Sequence, residues 1–432
     1  MVTAVGFGCT PTPTYYEHIK PIMDGRCVAC HQDGGVAPFT FETAEDVTTL
    51  GDLIHHATDA QTMPPWFAVD GFQNYRNNPS LSEEQRWQIA AWNEGGRPMG
   101  NPNRFGQPLP QLGTELARLD LTLAVPEPFE VTNTPDEYRC FVLDWTPETK
   151  QYITGFSAQP GNLELVHHMA AYLFRPDTPY GEGLFDILQR WDDENPGIGY
   201  PCYGGPSGDN DVQVPIQQIA QWVPGMGDSV FPSGSGIEVP VDSKVVLQIH
   251  YNTLQANERV DQSKIVFSTA DNVQRQGAFA PWLDTSWPLG NMTIPAGESN
   301  VTRSALGSPF GLFGFLAPSM DFSNGFDVHS ILIHMHQLGQ SSTVAIQRAN
   351  GQTETLLRVE QYDFNWQLMY ELNQPIAFAV DDELYLTCTW DNSEANQPDG
   401  EPPNDVNWGE GTQDEMCVAN LFITERNEDY GE

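Results

Sequence analysis

Leu165-Val166-His167-His168-Met169-Ala170-Ala171-Tyr172 is an apolar, strand-like run that carries two adjacent imidazoles near its start. Val246-Leu247-Gln248-Ile249-His250-Tyr251 and Ile331-Leu332-Ile333-His334-Met335-His336 have the same character. Working outward, Leu121 to Val125, Gln151 to Gly155 and Glu383 to Thr389 read as further strands, rich in β-branched and aromatic side chains. The alternation of strand and helix that a parallel sheet needs is absent, so the texture predicts a mainly β chain of antiparallel sandwiches. A lone histidine in such a strand is usually a satisfied core residue; three histidine-bearing strands in one chain point to metal. His334 and His336, two apart, share one face of a strand and can chelate one ion. His167 and His168 face opposite ways in a regular strand and can share an ion only at a strand end or a bulge. Imidazole alone suits zinc, copper, iron or nickel.

The first part of the chain, to about residue 112, reads differently. Tyr15 to Met23 and Glu42 to Ala60 have the spacing of short helices, and Ser82-Glu83-Glu84-Gln85 is a capping box that opens a helix ending at Gly95-Gly96. Arg97 to Gly113, with its Pro and Gly residues, reads as a linker. Within this part Cys27-Val28-Ala29-Cys30-His31 is the attachment pattern of a c-type haem. Two thiols can form thioethers to the haem vinyl groups, and the adjacent imidazole then serves the iron. Met63, in Thr62-Met63-Pro64-Pro65-Trp66, is the candidate distal ligand, with His55 and His56 as rivals. A structural zinc would need four ligands, and no second C-x-x-C is present. The segment resembles the small cytochrome c modules fused to bacterial oxidoreductases, on Cys27 to His31, Gln32 to Phe39 and Met63 to Trp66.

Composition narrows the function classes. The 432 residues hold 19 Lys and Arg against 58 Asp and Glu, a formal charge of -39, which repels nucleic-acid phosphates and anionic lipid. Hydrophobic residues at 39% and aromatics at 11% are enough for packed cores and argue against disorder. The 38 Gly and 34 Pro supply turns for many short strands. No apolar run is long enough for a transmembrane span. Met1 to Cys9 reads as the stub of an export signal or a trimmed start, with Cys9 a candidate lipid anchor.

Four motifs then carry a resemblance. His167-His168-Met169, Gln248-Ile249-His250-Tyr251, His334-Met335-His336-Gln337-Leu338-Gly339 and Asp414-Glu415-Met416-Cys417 stand in the order found in the copper, ascorbate-dependent monooxygenases. That family includes the peptidylglycine α-hydroxylating and dopamine β-monooxygenases. The resemblance implies three domains: a helical cytochrome c-like haem domain over 1-112, and jelly-roll-like copper sandwiches over 113-275 and 276-432. It implies two coppers and one covalent haem c. His167, His168 and His250 would hold the electron-transfer copper, and His334, His336 and Met416 the oxygen-activating one. Three imidazoles suit both copper oxidation states, whereas a thioether favours Cu(I). It also implies disulfides Cys140–Cys202 and Cys388–Cys417, leaving Cys9 odd. Haem attachment and disulfides together imply an exported bacterial protein, periplasmic or extracellular.

The implied activity is hydroxylation of an activated aliphatic C–H with O2. The substrate is a small or peptide-like molecule, and electrons come from ascorbate or a redox protein, by way of the fused haem. The alternatives are an electron-transfer or copper-handling protein without hydroxylase activity, or a reductase of an inorganic acceptor. One departure bears on substrate. The peptide-hydroxylating members carry an Arg two residues before the His-x-His and a Tyr four after the Met, and both bind the peptide carboxylate. Leu332 and Asn420 occupy those positions here, so a glycine-extended peptide loses its anchor.

Overall fold

The structure, a computed structural model, describes residues 12–426 except 34, 36, 111–114, 179–180, 196, 204, 208–215, 254–255, 399, 410 and 412. Cys9 and the end of the expected linker at Gly113 lie outside the described residues. The chain divides into two compact units, one comprising residues up to Trp66 together with Asn78–Leu112, the other Phe67–Asn77 together with Gly113 onward.

The first unit is helical, with α1 (Lys20–Arg26), α2 (Ala44–Thr49), α3 (Gly51–Asp59) and α4 (Glu83–Glu94), α1 being preceded by a π-helical turn at Tyr15–Ile19. Two capping boxes start helices: Thr43 with Asp46 for α2, and Ser82 with Gln85 for α4. Each pairs N–H groups that a helix start leaves without partners. α4 stops at Gly95, and Gly96 takes φ +81°, a conformation open to glycine. Ile19, Ile22, Met23, Val47, Ile89 and Trp92 close its core, each contributing on the order of 2 kcal/mol by burial.

The second unit is mainly β, as expected. Its longer strands are β1 (Leu121–Ala124), β2 (Asp136–Leu143), β3 (Gln151–Gln159), β4 (Val166–Phe174), β5 (Gln217–Trp222), β6 (Ser235–Val239), β7 (Lys244–Asn252), β8 (Lys264–Ala270), β9 (Arg275–Trp282), β10 (Val301–Gly307), β11 (Phe326–His334), β12 (Gly339–Gln347), β13 (Thr353–Val359), β14 (Tyr370–Phe378), β15 (Glu383–Trp390) and β16 (Val418–Glu425). A nine-stranded sheet runs β1-β8-β3-β6-β9-β16-β11-β14, with Ser229–Val230 paired to β3. A five-stranded sheet runs from Tyr200–Pro201 through β2, β7, β4 and β5, and a four-stranded sheet runs β10-β15-β12-β13. All pairings between named strands are antiparallel except the short parallel contact of β9 with β6. Residues 271–274, between β8 and β9, are only a brief connection. β8 and β9 flank it within the same sheet.

A helix at Gly181–Asp193 was not expected from the strand-and-turn texture. Leu184, Leu188 and Trp191, spaced on one helical face, pack with Cys140, Tyr200 and Cys202. Phe67–Asn77, although early in the chain, lies on the β unit. Val69 N donates to Arg358 O on β13 at 2.8 Å, and Arg76 N donates to Glu371 O on β14 at 2.8 Å. Isolated bridges join Ala68 to Val359 and Tyr75 to Leu372. β13 and β14 are the terminal strands of their sheets, so this arm supplies the pairing that an edge strand lacks.

Candidate metal centres

The first histidine cluster depends on a bulge. β4 and β7 pair antiparallel with His250 opposite His168, and the next pair is Tyr251 with Val166. His167 is therefore the extra residue, and the bulge lets neighbouring imidazoles converge where a regular strand would part them. The ligand atoms of His167, His168 and His250 all lie within 4.8 Å of one another. His168 Nδ1 stands 3.5 Å from His167 Nδ1 and 3.4 Å from His250 Nδ1. Nitrogens bound at ~2 Å to one tetrahedral ion would stand ~3.3 Å apart, so the donor set fits a metal.

Asp136, at the start of β2, accepts a bond from His250 Nε2–H at 2.8 Å and another from Asn252 Nδ2 at 3.1 Å. Burial opposes its ionisation, yet these bonds hold the Asp136 carboxyl below the usual range. With the proton on Nε2, His250 presents the lone pair of Nδ1 to the cluster. Tyr138 stacks flat on the same ring, 4.1 Å between centroids and 7° between planes. Asp136→Ala should therefore weaken metal binding at this centre about 10–100-fold. Chelator-competition titration in a His336→Ala background, which isolates this centre, checks it; unchanged affinity contradicts it.

The second cluster corrects one expectation. β11 ends at His334, and His336 lies beyond the strand, so strand alternation does not bring the two rings together. They nevertheless stand 5.0 Å apart at 84°. Two side chains shape the turn. Tyr362 Oη accepts from Met335 N at 3.0 Å and donates to Met335 O at 2.7 Å. Glu415, fully buried, accepts from His336 N at 2.9 Å, Leu338 N at 2.7 Å and Trp390 Nε1 at 2.8 Å. Burial pushes the Glu415 carboxyl up to about 7, against the pull of these bonds. His334 Nδ1–H donates to Gln367 Oε1 and His336 Nδ1–H to Asp414 O, so both rings keep Nε2 for a ligand. Met416 follows Glu415, and the Cys388–Cys417 disulfide fixes the next residue. The other expected disulfide, Cys140–Cys202, is also present.

Both clusters face one cavity of about 330 Å³, lined among others by His167, His168, His334, His336 and Met416. Phe364 stands between them, its ring 6.2 Å from that of His167 and 6.0 Å from that of His336. Asp136, Tyr362, Phe364 and Gln367 were missed in the sequence because no motif marks them. Glu415 lay inside a quoted motif without a role.

Withdrawal from water keeps these imidazoles neutral, as ligands must be, and this has a consequence in acid. It pushes His167 down to about 4 and His336 to about 3. His329, bonded to Thr424 Oγ1 at 2.9 Å, is also pushed to about 3, by burial. In the unfolded chain each takes a proton near pH 6.5. Below that pH the unfolded state binds more protons, so stability is full above it and falls as pH falls towards the folded values. Glu415, raised to about 7, works the other way and gains stability as pH falls through that range, but the three histidines outweigh it, so the metal-free protein should lose a net few kcal/mol between about pH 6.5 and 4. A Tm that stays level over that range contradicts this.

In the helical unit, Cys27 and Cys30 are not disulfide-bonded. Burial pushes the Cys27 thiol up to about 12, so it stays protonated. His31 Nδ1–H donates to Phe39 O at 2.9 Å, and its ring stacks on Phe41 at 4.2 Å and 17°. That leaves Nε2 available and the ring oriented, which fits a haem-iron ligand. Met63 is 36% exposed, on the segment after α3. Asn93 Nδ2 donates to His55 Nδ1 at 3.3 Å, which puts the proton of His55 on Nε2. No helix of the described residues is long and apolar enough to cross a membrane.

Comparison with known proteins bears on the β unit. Residues 121–258 match the N-terminal domain of the copper type II ascorbate-dependent monooxygenases, and residues 317–426 match the C-terminal domain. Tyramine beta-hydroxylase of Caenorhabditis briggsae is 24% identical over 345 residues, 73% of this chain and 51% of that protein. MOXD1 homolog 1 of Drosophila melanogaster is 25% identical over 284 residues, 64% of this chain and 38% of that protein. The chain thus spans about half or less of the length of these relatives. Among solved structures, the major capsid protein P2 of bacteriophage PM2 aligns over 72% of this chain and 99% of its own, at 9% identity. Its TM-score of 0.25 carries no argument. With two domain models matched in order and both histidine clusters falling in the matched unit, the chain belongs to the copper type II ascorbate-dependent monooxygenase family.

Proposed function

We propose that this chain is a copper-dependent monooxygenase that hydroxylates an activated aliphatic C–H with O2. The observation that carries the reading is that the two donor sets open onto one cavity. His167, His168 and His250 would hold one copper, and His334, His336 and Met416 the other. Copper held there would supply one-electron redox chemistry and dioxygen activation, for which imidazole and thioether donors are suited. The chain's own residues do the rest. Asp136 fixes the tautomer of His250, Gln367 and the Asp414 carbonyl aim His334 and His336, and Glu415 with Tyr362 sets the turn between them. The apolar part of the wall, including Phe364 and Leu332, limits water at the reacting carbon. The two matched domains favour two copper sandwiches within the β unit, 113-275 and 276-432.

The helical unit, which within the expected 1-112 leaves out the arm Phe67–Asn77, is proposed to carry one covalent haem c on Cys27, Cys30 and His31, with Met63 as distal ligand, and to pass electrons to the first copper. The orientation of His31 supports this, and the chain passes three times between the two units, a tether that raises effective concentration to about millimolar. Ascorbate or a redox protein would be the external donor. Disulfides and haem attachment favour an exported protein.

The test supplies copper, reductant and labelled dioxygen to the exported protein and screens small molecules for products gaining one labelled oxygen. Oxygen consumption without labelled product refutes the hydroxylase reading. For the haem, acidified organic solvent should leave it on the chain. Reduced-haem, oxidised-copper protein without oxygen should show first-order haem oxidation independent of protein concentration. A haem that stays reduced is not the donor.

A further inference from the structure

The loop between β13 and β14 reaches both histidine clusters, and Phe364 sits at its turn. The Phe364 ring lies at 23° to that of His167 and edge-on to that of His336, at 88°, with centroids 6.2 Å and 6.0 Å away. Both are separations of packed aromatic pairs. A second link runs through the backbone. Phe364 O accepts from Gln367 Nε2 at 2.9 Å, and Gln367 Oε1 accepts from His334 Nδ1–H. One residue thus meets an imidazole of the first cluster and, by two branches, both imidazoles of the second.

The loop is also held in place. Tyr362 N donates to Gln340 O at 2.8 Å, while Tyr362 Oη clamps Met335 N and O. Asp363 Oδ1 accepts from Asn365 N at 2.9 Å, and Asp363 O accepts from Trp366 N at 3.0 Å. These bonds lie on either side of Phe364 and lock the turn, so the ring is positioned before any metal arrives. Electrons tunnel more readily through bonds, hydrogen bonds and packed atoms than across open space. The Phe364 ring is packed matter between clusters that otherwise face a void of about 330 Å³.

We propose that Phe364 carries electron exchange between the two metal centres. One electron leaves the His167–His168–His250 centre, crosses the ring and enters the His334–His336–Met416 centre. The donor copper passes from Cu(I) to Cu(II) and the acceptor from Cu(II) to Cu(I), and no bond forms or breaks. This rests on the two-copper reading of the cavity and names the path within it.

Freeze-quench paramagnetic resonance on the copper-loaded full chain tests it without a substrate. Fully reduced protein is mixed, without oxygen, with one equivalent of ferricyanide or of tris(phenanthroline)cobalt(III), an anionic and a cationic oxidant. The all-imidazole and the thioether-bearing Cu(II) give separable signals. Fast exchange erases any trace of which centre was oxidised first. Wild type should therefore show one signal ratio from the earliest sample, the same for both oxidants and at every protein concentration. Phe364→Leu keeps an apolar filler that cannot span both rings, and its exchange should be at least tenfold slower, with an early ratio that drifts. Phe364→Tyr should restore the immediate ratio, with melting curves and copper counts reporting that both variants are folded and loaded. A wild-type ratio that drifts or depends on the oxidant overturns the proposal. So does a Phe364→Leu protein that matches wild type at all times. The labelled-dioxygen screen keeps the two readings apart. Ring-dependent exchange without labelled product overturns the monooxygenase and leaves the path standing, and labelled product with exchange indifferent to Phe364 does the reverse.

Discussion

Met416→Leu is expected to cut hydroxylation at least 100-fold, about 2.7 kcal/mol of barrier, while leaving the fold and the His167–His168–His250 centre in place. The swap keeps side-chain volume, and such exchanges usually cost under ~1.5 kcal/mol. The backbone around it is held independently of the sulfur, by Glu415 on one side and the Cys388–Cys417 disulfide on the other. What goes is the thioether, the one soft donor proposed for that centre and the group that favours Cu(I) over Cu(II). Rates of labelled-oxygen incorporation, with copper counted per chain and melting followed in parallel, decide the matter. Wild-type turnover in the folded variant means that Met416 is not a ligand.

The second large effect is expected at Glu415, which touches no proposed ligand side chain. Glu415→Ala strips the acceptor from His336 N, Leu338 N and Trp390 Nε1. Each buried donor left unpaired costs about 1–3 kcal/mol, so the sum approaches the whole stability of an ordinary domain. Glu415→Gln is the finer probe. One oxygen remains, and the new amide hydrogens meet at least one N–H head-on. Melting should fall by several degrees, and copper at the His334–His336 centre should weaken tenfold or more, with the His167–His168–His250 centre unaffected. Equal copper affinity in wild type and Glu415→Gln, with Tm preserved, removes the carboxylate from any positioning role.

Legibility followed the range of the interaction. Strands with period-two or continuously apolar patterns could be read within a residue or two, and β4, Val166–Phe174, nearly coincides with the run Leu165 to Tyr172. Local signals such as the Ser82 capping box were equally readable. The bulge at His167 was foreseen only as a condition, because bulging is settled by the register of β7, some eighty residues on. The placement of His336 was misread for a related reason. Its geometry is imposed by Tyr362 and Glu415, which no spacing rule connects to it. Asn420 Nδ2, on β16, donates to Gln218 Oε1 on β5; the sequence marked Asn420 only as a departure from a resembling family, and the pairing with Gln218 came from the fold. The helix at Gly181–Asp193 escaped because its apolar face is short and sits in a strand-rich stretch.

The arm at Phe67–Asn77 sets a limit on how this protein can be dissected. A fragment beginning at residue 113 keeps every proposed copper ligand, and looks like the natural unit to express. It would lack the arm, and β13 and β14 would each present bare backbone along the side that Val69, Asn74 and Arg76 now occupy. Exposed edges of this kind recruit further strands, from a second copy of the same fragment if nothing else is offered. The amputated β unit should therefore self-associate in proportion to its concentration, and adding back a peptide of residues 67–77 should reverse that association.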